Sequence, residues 1–233
     1  MSKVGFRIFK KINRAPRELV DGFREIPVAN IGDVVSRMFC LDARIRPMNQ
    51  APLLGTAFTV RARPGCNLML HYAIDAAQPG DVIMVEDQGD LSNAISGENM
   101  MLWAARRQIA GVVVDGAMRD ADSIGQMDFP VYARGITPRG PHKSGPGEIN
   151  TPIACGGVVV NPGDIVVGDA DGVIVIAQQD AASVLAAARK KLAQEIRTRQ
   201  EIEAGTWSRS AYDEAALAAM GCELIDAAYG EQQ

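Results

Sequence analysis

The feature that most restricts how this chain can fold is a change of texture near Gly147. Upstream, from Asn67, helical and strand patterns alternate: a helix to Gln78, the strand DVIMVED, a helix from about Glu98 to Gln108, the strand GVVVDG, a short helix near Asp122 and the strand PVYARG. Parallel neighbours need a crossover between them, so this alternation predicts βαβ units and a parallel sheet. Ahead of it, GTAFTVRAR (Gly55 to Arg63) alternates and is rich in β-branched residues, which starts the sheet. Downstream, GEINTPIACGGVVVNPGDIVVGDADGVIVIA sets short β-branched runs between Gly-Gly, Pro-Gly and Asp-Gly. That punctuation predicts antiparallel strands joined by tight turns.

Helices are expected at both flanks. Pro16 to Glu25 and Asn30 to Phe39 read as helical, with Asn30 as a cap and Asp33 in the first turn of the second, where a carboxylate suits the helix dipole. Ala181 to Ala204 is long enough for a helix of about 36 Å at about 1.5 Å per residue. Its second half, QEIRTRQEIEAG, is too polar to lie wholly on its own core, so residues 181–233 are expected to pack on a neighbouring subunit. No linker or internal repeat interrupts the chain. The expectation is one α/β domain over 1–233, with 1–15 as a basic arm that is solvated or clasps a neighbour.

Composition removes several functional classes. With 47% hydrophobic and 22% charged residues the chain reads as an ordinary globular protein. A net charge of −4 gives no electrostatic footprint for nucleic acid. MSKVGFRIFKKINR carries five basic residues but no continuous apolar stretch and no small-residue cleavage site, so it is not read as a secretory signal. The apolar runs fall short of the roughly 18 residues that cross a bilayer. Cys40, Cys66, Cys155 and Cys222 are scattered, without zinc spacing, which suits reduced thiols and a cytoplasmic location.

Tempting motifs fail on detail. GPHKSG lacks the Gly-Lys-Ser/Thr ending of a phosphate loop, and GDADGV between apolar runs reads as a hairpin turn rather than a calcium loop. There is no G-x-G-x-x-G after a strand and no G-x-S-x-G elbow, and His71 and His142 are the only histidines. Dinucleotide binding, a Rossmann-type methyl donor and nucleophilic catalysis are all disfavoured. His71, on the apolar helix NLMLHYAIDAA, is expected as a hydrogen-bonded core residue.

A constellation remains. Ligands of open α/β sheets gather beyond the carboxyl ends of the strands, where VEDQGDLSNAISGEN and DGAMRDADS are expected as loops, the second leaving its strand by a turn at Asp115-Gly116. Ser96-Gly97-Glu98-Asn99 opens a helix whose free N–H groups can hold a carboxylate. Arg119 offers a planar fork of donors and Asp120 a hard oxygen ligand, which together suit a metal and a small acid. Surface ion pairs for Arg119 and Asp120, with Glu98 as an ordinary first-turn carboxylate, are the competing explanation. Arg139 and His142 either meet a distal carboxylate or belong to a solvated loop.

SGENMM, VVVDGAMRD, ARGITPRG, GPGEIN and CGGVVVNPGDIVVGDADGVIVI resemble the 4-hydroxy-4-methyl-2-oxoglutarate aldolase family, also called RraA-like, over about Ala29 to Glu203. The family pattern is an acidic residue, twenty intervening positions and Arg-Asp; Glu98 and Arg119-Asp120 meet it, with Glu where Asp is usual. The resemblance implies the three-layer β/β/α fold of swivelling phosphohistidine domains with long flanking helices, assembled as trimers or pairs of trimers. It implies a class II pyruvate aldolase that cleaves a 4-hydroxy-2-oxo diacid to pyruvate and a second oxo compound, with oxaloacetate decarboxylation as a side activity. Mg²⁺ or Mn²⁺ would be held by Asp120 and waters, with Glu98 orienting one water. The N–H groups of Gly97, Glu98, Asn99 and Met100 would bind the substrate carboxylate, and Arg119 would face the keto oxygen. Glu195 from an adjacent subunit, with Glu201 and Glu203 as rivals, would complete the site. The same family includes ring-shaped regulators of ribonuclease E, which is the alternative function; an older methyltransferase label lacks its glycine-rich motif here.

Overall fold

The computed structural model describes residues 2–231 and divides the chain into two compact units, Met1–Lys191 and Leu192–Gln233. The first unit contains, in order, β1 (Phe6–Ile8), α1 (Arg17–Asp21), α2 (Val28–Val34), β2 (Arg46–Pro47), β3 (Leu53–Ala62), α3 (Leu68–Ala76), β4 (Asp81–Ser96), α4 (Glu98–Arg106), β5 (Gly111–Met118), α5 (Ala121–Gly125) and β6 (Val131–Ile136). The strands β7 (Gly147–Ile149), β8 (Ile153–Cys155), β9 (Val158–Val160), β10 (Ile165–Asp169) and β11 (Gly172–Ile176) follow. The helix α6 (Ala181–Glu203) comes next, and the unit boundary falls within it.

The change of texture at Gly147 is a change of sheet geometry. Strands β3, β4, β5 and β6 are parallel neighbours, with Thr56 opposite Asp81, Val82 opposite Gly111 and Val112 opposite Val131. From Gly147 on, antiparallel pairing dominates, as β7 with β3, β10 with β11 and with β3, and β8 with β9, while β7 also runs parallel to β1. The expected Asp-Gly turn is present: Asp169 pairs with Gly172 across it, and Asp169 Oδ1 accepts the Asp171 N–H at 2.9 Å.

Side chains alternate across the parallel strands, so the sheet has two buried faces. On one face Val60, Ile83, Val85, Val112 and Val114 pack with Leu70 and Ile74 of α3, Met101 of α4 and Ile124 of α5. On the other, Val82, Met84, Val113 and Tyr132 pack with Ile153, Val160, Val166 and Val175 from the antiparallel strands. Helices, parallel sheet and antiparallel strands therefore form the β/β/α layers that the sequence led us to expect.

Local details differ from the sequence reading. Pro27 precedes the first residue of α2, and the Val28 N–H donates to Asp169 Oδ2 at 2.9 Å. Proline suits a helix start because its φ is preset, and here it moves the start ahead of Asn30. Asn30 is therefore a buried interior residue rather than a cap, and Asp33 lies in the last turn, paired with Arg37 and Lys191. The segment expected as a loop after DVIMVED continues as strand to Ser96, with Gln88 and Gly89 at φ +55° and +72° absorbing a register shift. Asp115 and Gly116 lie inside β5 rather than at its exit. Part of the basic arm is tied to its own sheet: β1 pairs with β7, Arg7 binds Glu148 and Arg14 binds both oxygens of Asp81. All four cysteines are free thiols, Cys66 and Cys155 buried.

In α6 the buried positions are Ala181, Val184, Leu185 and Ala188, all in the first half, as the polarity of the second half requires. The second unit holds the remainder of that helix, a 3-10 turn at Ser210–Tyr212 and α7 (Glu214–Ala219), whose cap Asp213 accepts the Ala216 N–H at 2.9 Å. Among the described residues no helix is long and apolar enough to cross a membrane.

Candidate active site

The carboxyl ends of β4 and β5 bring together Gly97, Arg119 and Asp120. Asp120 precedes α5 with φ 58° and ψ 42°, a left-handed conformation that Asp adopts more readily than most residues. This conformation accompanies a hydrogen bond from the Glu98 N–H to Asp120 Oδ2 at 3.0 Å, which ties the start of α5 to the start of α4. The Arg119 N–H donates to the Ser96 carbonyl at 3.0 Å, and Arg119 Nε lies 3.6 Å from Asp120 Oδ2. Gly97 is required by space: a Cβ there would sit 2.2 Å from Asp120 Oδ2 and 2.9 Å from Arg119 Cγ. Its φ of −159° is ordinary extended backbone.

Around this pair lies a shallow cleft of about 50 Å³, lined by Asn67, Ser96, Gly97, Asn99, Met100, Arg119, Asp120 and Pro141. The side chains of Arg119 and Asp120 are 45% and 41% exposed, so they are accessible to a solute. Of the expected residues, the cleft gathers Gly97, Asn99, Met100, Arg119 and Asp120. Glu98 takes part through its backbone, and its N–H is already engaged by Asp120. The Met101 N–H donates to the Gly97 carbonyl. With the Glu98 amide engaged, the amides of Gly97, Asn99 and Met100 are the ones at the start of α4 to consider for a carboxylate. Glu195, Glu201 and Glu203 belong to the second unit.

Two lining residues had no side-chain role expected from the sequence. Ser96 Oγ and Asn67 Oδ1 are buried atoms with no hydrogen-bond partner, although both residues border the cleft. Buried polar atoms in native proteins are nearly always satisfied, so an orphaned pair beside a charged cleft points to a ligand or ion. Asp120 carboxylate, Ser96 hydroxyl and Asn67 amide oxygen are all hard oxygen donors. No group of three or more His, Cys, Asp or Glu suited to a metal occurs among the described residues. That donor set fits a small divalent cation that keeps most of its water, as Mg²⁺ does, and not a site built for zinc.

The segment 137–146 borders the cleft and is held at several points. The Ala94 N–H donates to the Arg139 carbonyl and Asn93 Nδ2 to the Gly140 carbonyl, each at 2.7 Å. The His142 N–H donates to the Gly65 carbonyl at 2.8 Å, and the His142 carbonyl accepts the Asn67 N–H at 3.0 Å. Arg139 and His142 have exposed side chains and are not among the lining residues. His71 is exposed on α3 and is not the core residue expected, because the apolar positions of that helix, Met69, Leu70, Ala73 and Ile74, fall on its other side.

Asp87 is completely buried at the end of the regular part of β4. Burial, aided by the nearby charges of Asp90 and Asp115, pushes its carboxyl up to about 7, against a lowering hydrogen bond from the Gly65 N–H. A larger cavity, about 970 Å³, is at the opposite edge, by the amino ends of the parallel strands. Its arginines are spent on carboxylates, Arg14 on Asp81 and both Arg17 and Arg24 on Asp21.

The sequence profile of the RraA-like family, described as Aldolase/RraA, matches residues 28–175. The chain belongs to the RraA-like family. It is 41% identical over 183 residues to a Halalkalibacterium halodurans protein named "Putative 4-hydroxy-4-methyl-2-oxoglutarate aldolase", covering 78% of this chain and 87% of that protein. Among solved structures, an uncharacterized protein from Pseudomonas syringae pv. tomato superposes with a TM-score of 0.74 at 26% identity, covering 84% of this chain and 96% of its own. Streptomyces coelicolor RraAS2, described as an unusual member of the RNase ES inhibitor RraA family, gives 0.71 at 26% identity over 81% of this chain and 100% of its own. RraA-like relatives thus carry both aldolase and ribonuclease-inhibitor descriptions. The aldolase name of the 41% identical relative supports an aldolase-like, carbon–carbon lyase function for this chain.

Proposed function

We propose that this RraA-like protein is a class II pyruvate aldolase acting on a 4-hydroxy-2-oxo diacid such as 4-hydroxy-4-methyl-2-oxoglutarate. The observation that carries this reading is the Asp120 carboxylate held against the start of α4 beside an accessible Arg119. Asp120, with Ser96 and Asn67 at hand, would hold Mg²⁺ or Mn²⁺. When bound, such an ion withdraws electron density from the carboxylate and keto oxygens of a 2-oxo acid.

The N–H groups of Gly97, Asn99 and Met100 receive the substrate carboxylate at the positive end of α4, the Glu98 N–H being held by Asp120. Arg119 donates to the keto oxygen, where charge grows as the C3–C4 bond breaks. In that step the C4 hydroxyl loses its proton, its oxygen forms the new carbonyl, and the bond electrons pass to the enolate of pyruvate. Glu98, at the mouth of the same helix, holds the water that takes up the hydroxyl proton. Protonation at C3 then releases pyruvate. Oxaloacetate would lose carbon dioxide through the same enolate, which makes its decarboxylation the expected side reaction.

The protein is proposed to act in the cytoplasm as a homotrimer or hexamer in which Glu195 of one subunit serves the site of another. The exposed, polar second half of α6 supports that placement. The decisive measurement is pyruvate release from 4-hydroxy-4-methyl-2-oxoglutarate with and without Mg²⁺, for the wild type and Asp120→Asn. Asparagine keeps an oxygen for the Glu98 N–H and tolerates the left-handed backbone, so it removes the charge alone. A large loss in the variant and in chelator is expected; equal rates in all samples would overturn the aldolase reading. Inhibition of a ribonuclease by a chain without lyase activity would instead favour the regulator role described for RraAS2.

A further inference from the structure

Asp87 has a geometry that none of the expected site chemistry uses. Its side chain is 0% exposed, Oδ1 accepts the Gly65 N–H at 3.0 Å, and Oδ2 is buried without a partner. Oδ2 is pressed against β5, since a Cβ on Gly116 would lie 2.5 Å from it. The residue that Asp87 holds is the turn after β3: Gly65 has φ +68°, and its carbonyl in turn holds the His142 N–H. From His142 the 137–146 segment runs back past Pro141, which lines the cleft, to Gly140, where a Cβ would be 3.1 Å from Arg119 Nη1. A continuous path of contacts therefore leads from the buried carboxyl to the guanidinium of the site.

The surroundings of Asp87 do not favour its charge. Asp90, on the same strand, and Asp115, on β5, face it as like charges. Arg134 on β6, which pairs with Asp115, is engaged by it and by Asp42 at 3.2 Å. Glu86, the preceding residue, is engaged by Arg61 of β3 at 3.0 Å, and Arg63, two residues before Gly65, is exposed. An ionised Asp87 would leave Oδ2 buried, charged and without a donor, a costly state that water relieves if the Gly65 turn opens.

We propose that Asp87 is a positioning residue: through the Gly65 turn it holds the 137–146 segment against Arg119, firmly when protonated and loosely when ionised. Since burial pushes its carboxyl up to about 7, the segment loosens as pH rises toward and through neutrality. The inference rests on the proposed site for its functional meaning but not for its physics. Hydrogen exchange of the full-length protein without added metal or substrate therefore tests it independently of aldolase activity.

Exchange across 63–67 and 137–146 is to be compared at pH 6 and pH 8, after correction for intrinsic chemistry, in wild type, Asp87→Asn and Asp87→Leu. Asparagine keeps an acceptor for Gly65 and cannot ionise; leucine keeps the bulk and removes the acceptor. The expected results are about tenfold or greater loss of protection in the wild type at pH 8, no such change in D87N, and loss at both pH values in D87L with β5 unaffected. Equal pH responses of wild type and D87N would overturn the proposal, as would a D87L segment as protected as wild type at pH 6. If D87L does not fold, the comparison of wild type with D87N decides alone. In the enzymatic assay the same loosening raises KM more than it lowers kcat; an absence of turnover with the exchange result intact would reject the aldolase reading and leave this one standing.

Discussion

Gly97 sits where a methyl group has no room, and the group it would strike is the carboxylate of Asp120. Gly97→Ala must therefore move Asp120, break its bond with the Glu98 N–H, or tilt the start of α4. A displacement of about 1 Å at reacting groups costs about 100-fold in rate, while the overpacking itself costs about 1–3 kcal/mol. We expect G97A to lose about 100-fold in pyruvate release with only a modest fall in urea midpoint, assayed on the same preparation; near-wild-type turnover would show that this contact is dispensable. Gly97, Arg119 and Asp120 were legible in the sequence because the chemistry-bearing types stand at fixed distances from two strand ends. Ser96 and Asn67 were not, because an uncharged residue declares no chemistry until its polar atom is found buried and unpartnered. Asp87 was hidden for a different reason. A carboxylate after VIMVE reads as the end of a strand, whereas in the fold it is buried against Gly116 of β5 and the Gly65 turn.

At the scale of elements, β5, β6 and the β8–β9 hairpin are joined by one polar network. Asp115 accepts Arg134 through one oxygen and the Gly156 N–H, at 2.7 Å, through the other, and Arg134 also reaches Asp42. Arg134 and Asp115 are only 11% and 9% exposed, so removing the cation strands a carboxylate in a poorly solvated place. Breaking a buried pair in this way costs about 3–5 kcal/mol, more than the pair itself contributes. Arg134→Met is expected to lower the unfolding free energy by about that amount, and Asp115→Asn in the same chain to recover part of it, as read by urea titration. A loss in R134M below about 1 kcal/mol, the range of exposed pairs, would mean that water reaches Asp115. The parallel strands and the later hairpins were legible from their period and their turn residues. The course of β4 was not: the stretch through Gln88-Gly89 was expected as a loop, but the strand passes through it as an irregularity with positive φ and keeps pairing with β5. The helix α2 was misjudged at its start because Asn30 is a good cap by type, whereas Pro27 and the Asp169 side chain set the boundary.

For the whole molecule, the buried and paired carboxylates set opposite limits on pH. Hydrogen bonds from Arg44 hold Asp42 below the usual range, and those from Arg7 lower Glu148 despite its burial. Groups lowered in the folded state contribute stability above their unfolded pKa and lose it as pH falls through the folded value. Asp87, and in the same direction Asp164, are raised by burial. Their contribution is complete below the unfolded pKa of about 4 and is lost as pH rises, for Asp87 through about 7. Thermal melts from pH 3 to 9 should therefore show greatest stability on the acid side of neutrality. D87N should flatten the upper limb while leaving the acid limb in place; an unchanged upper limb would locate the responsible group elsewhere.

The first strand of the chain carries a consequence for the order of folding. The site residues from Asn67 to Pro141 lie on consecutive βαβ crossovers, whose closures are local, but β1 can join the sheet only after β7 exists. The Arg7–Glu148 bond spans 141 positions, so its loop closure is among the most entropically demanding in the molecule. Docking of the arm then follows formation of the site and acts as a latch on the finished sheet. Removing residues 1–10 should leave the refolding rate nearly unchanged and speed unfolding, as expected for contacts absent from the transition state; a slowed refolding limb would instead place the arm in the nucleus. A chain emerging from synthesis would on this view assemble its chemistry before it fastens the sheet edge that keeps it together.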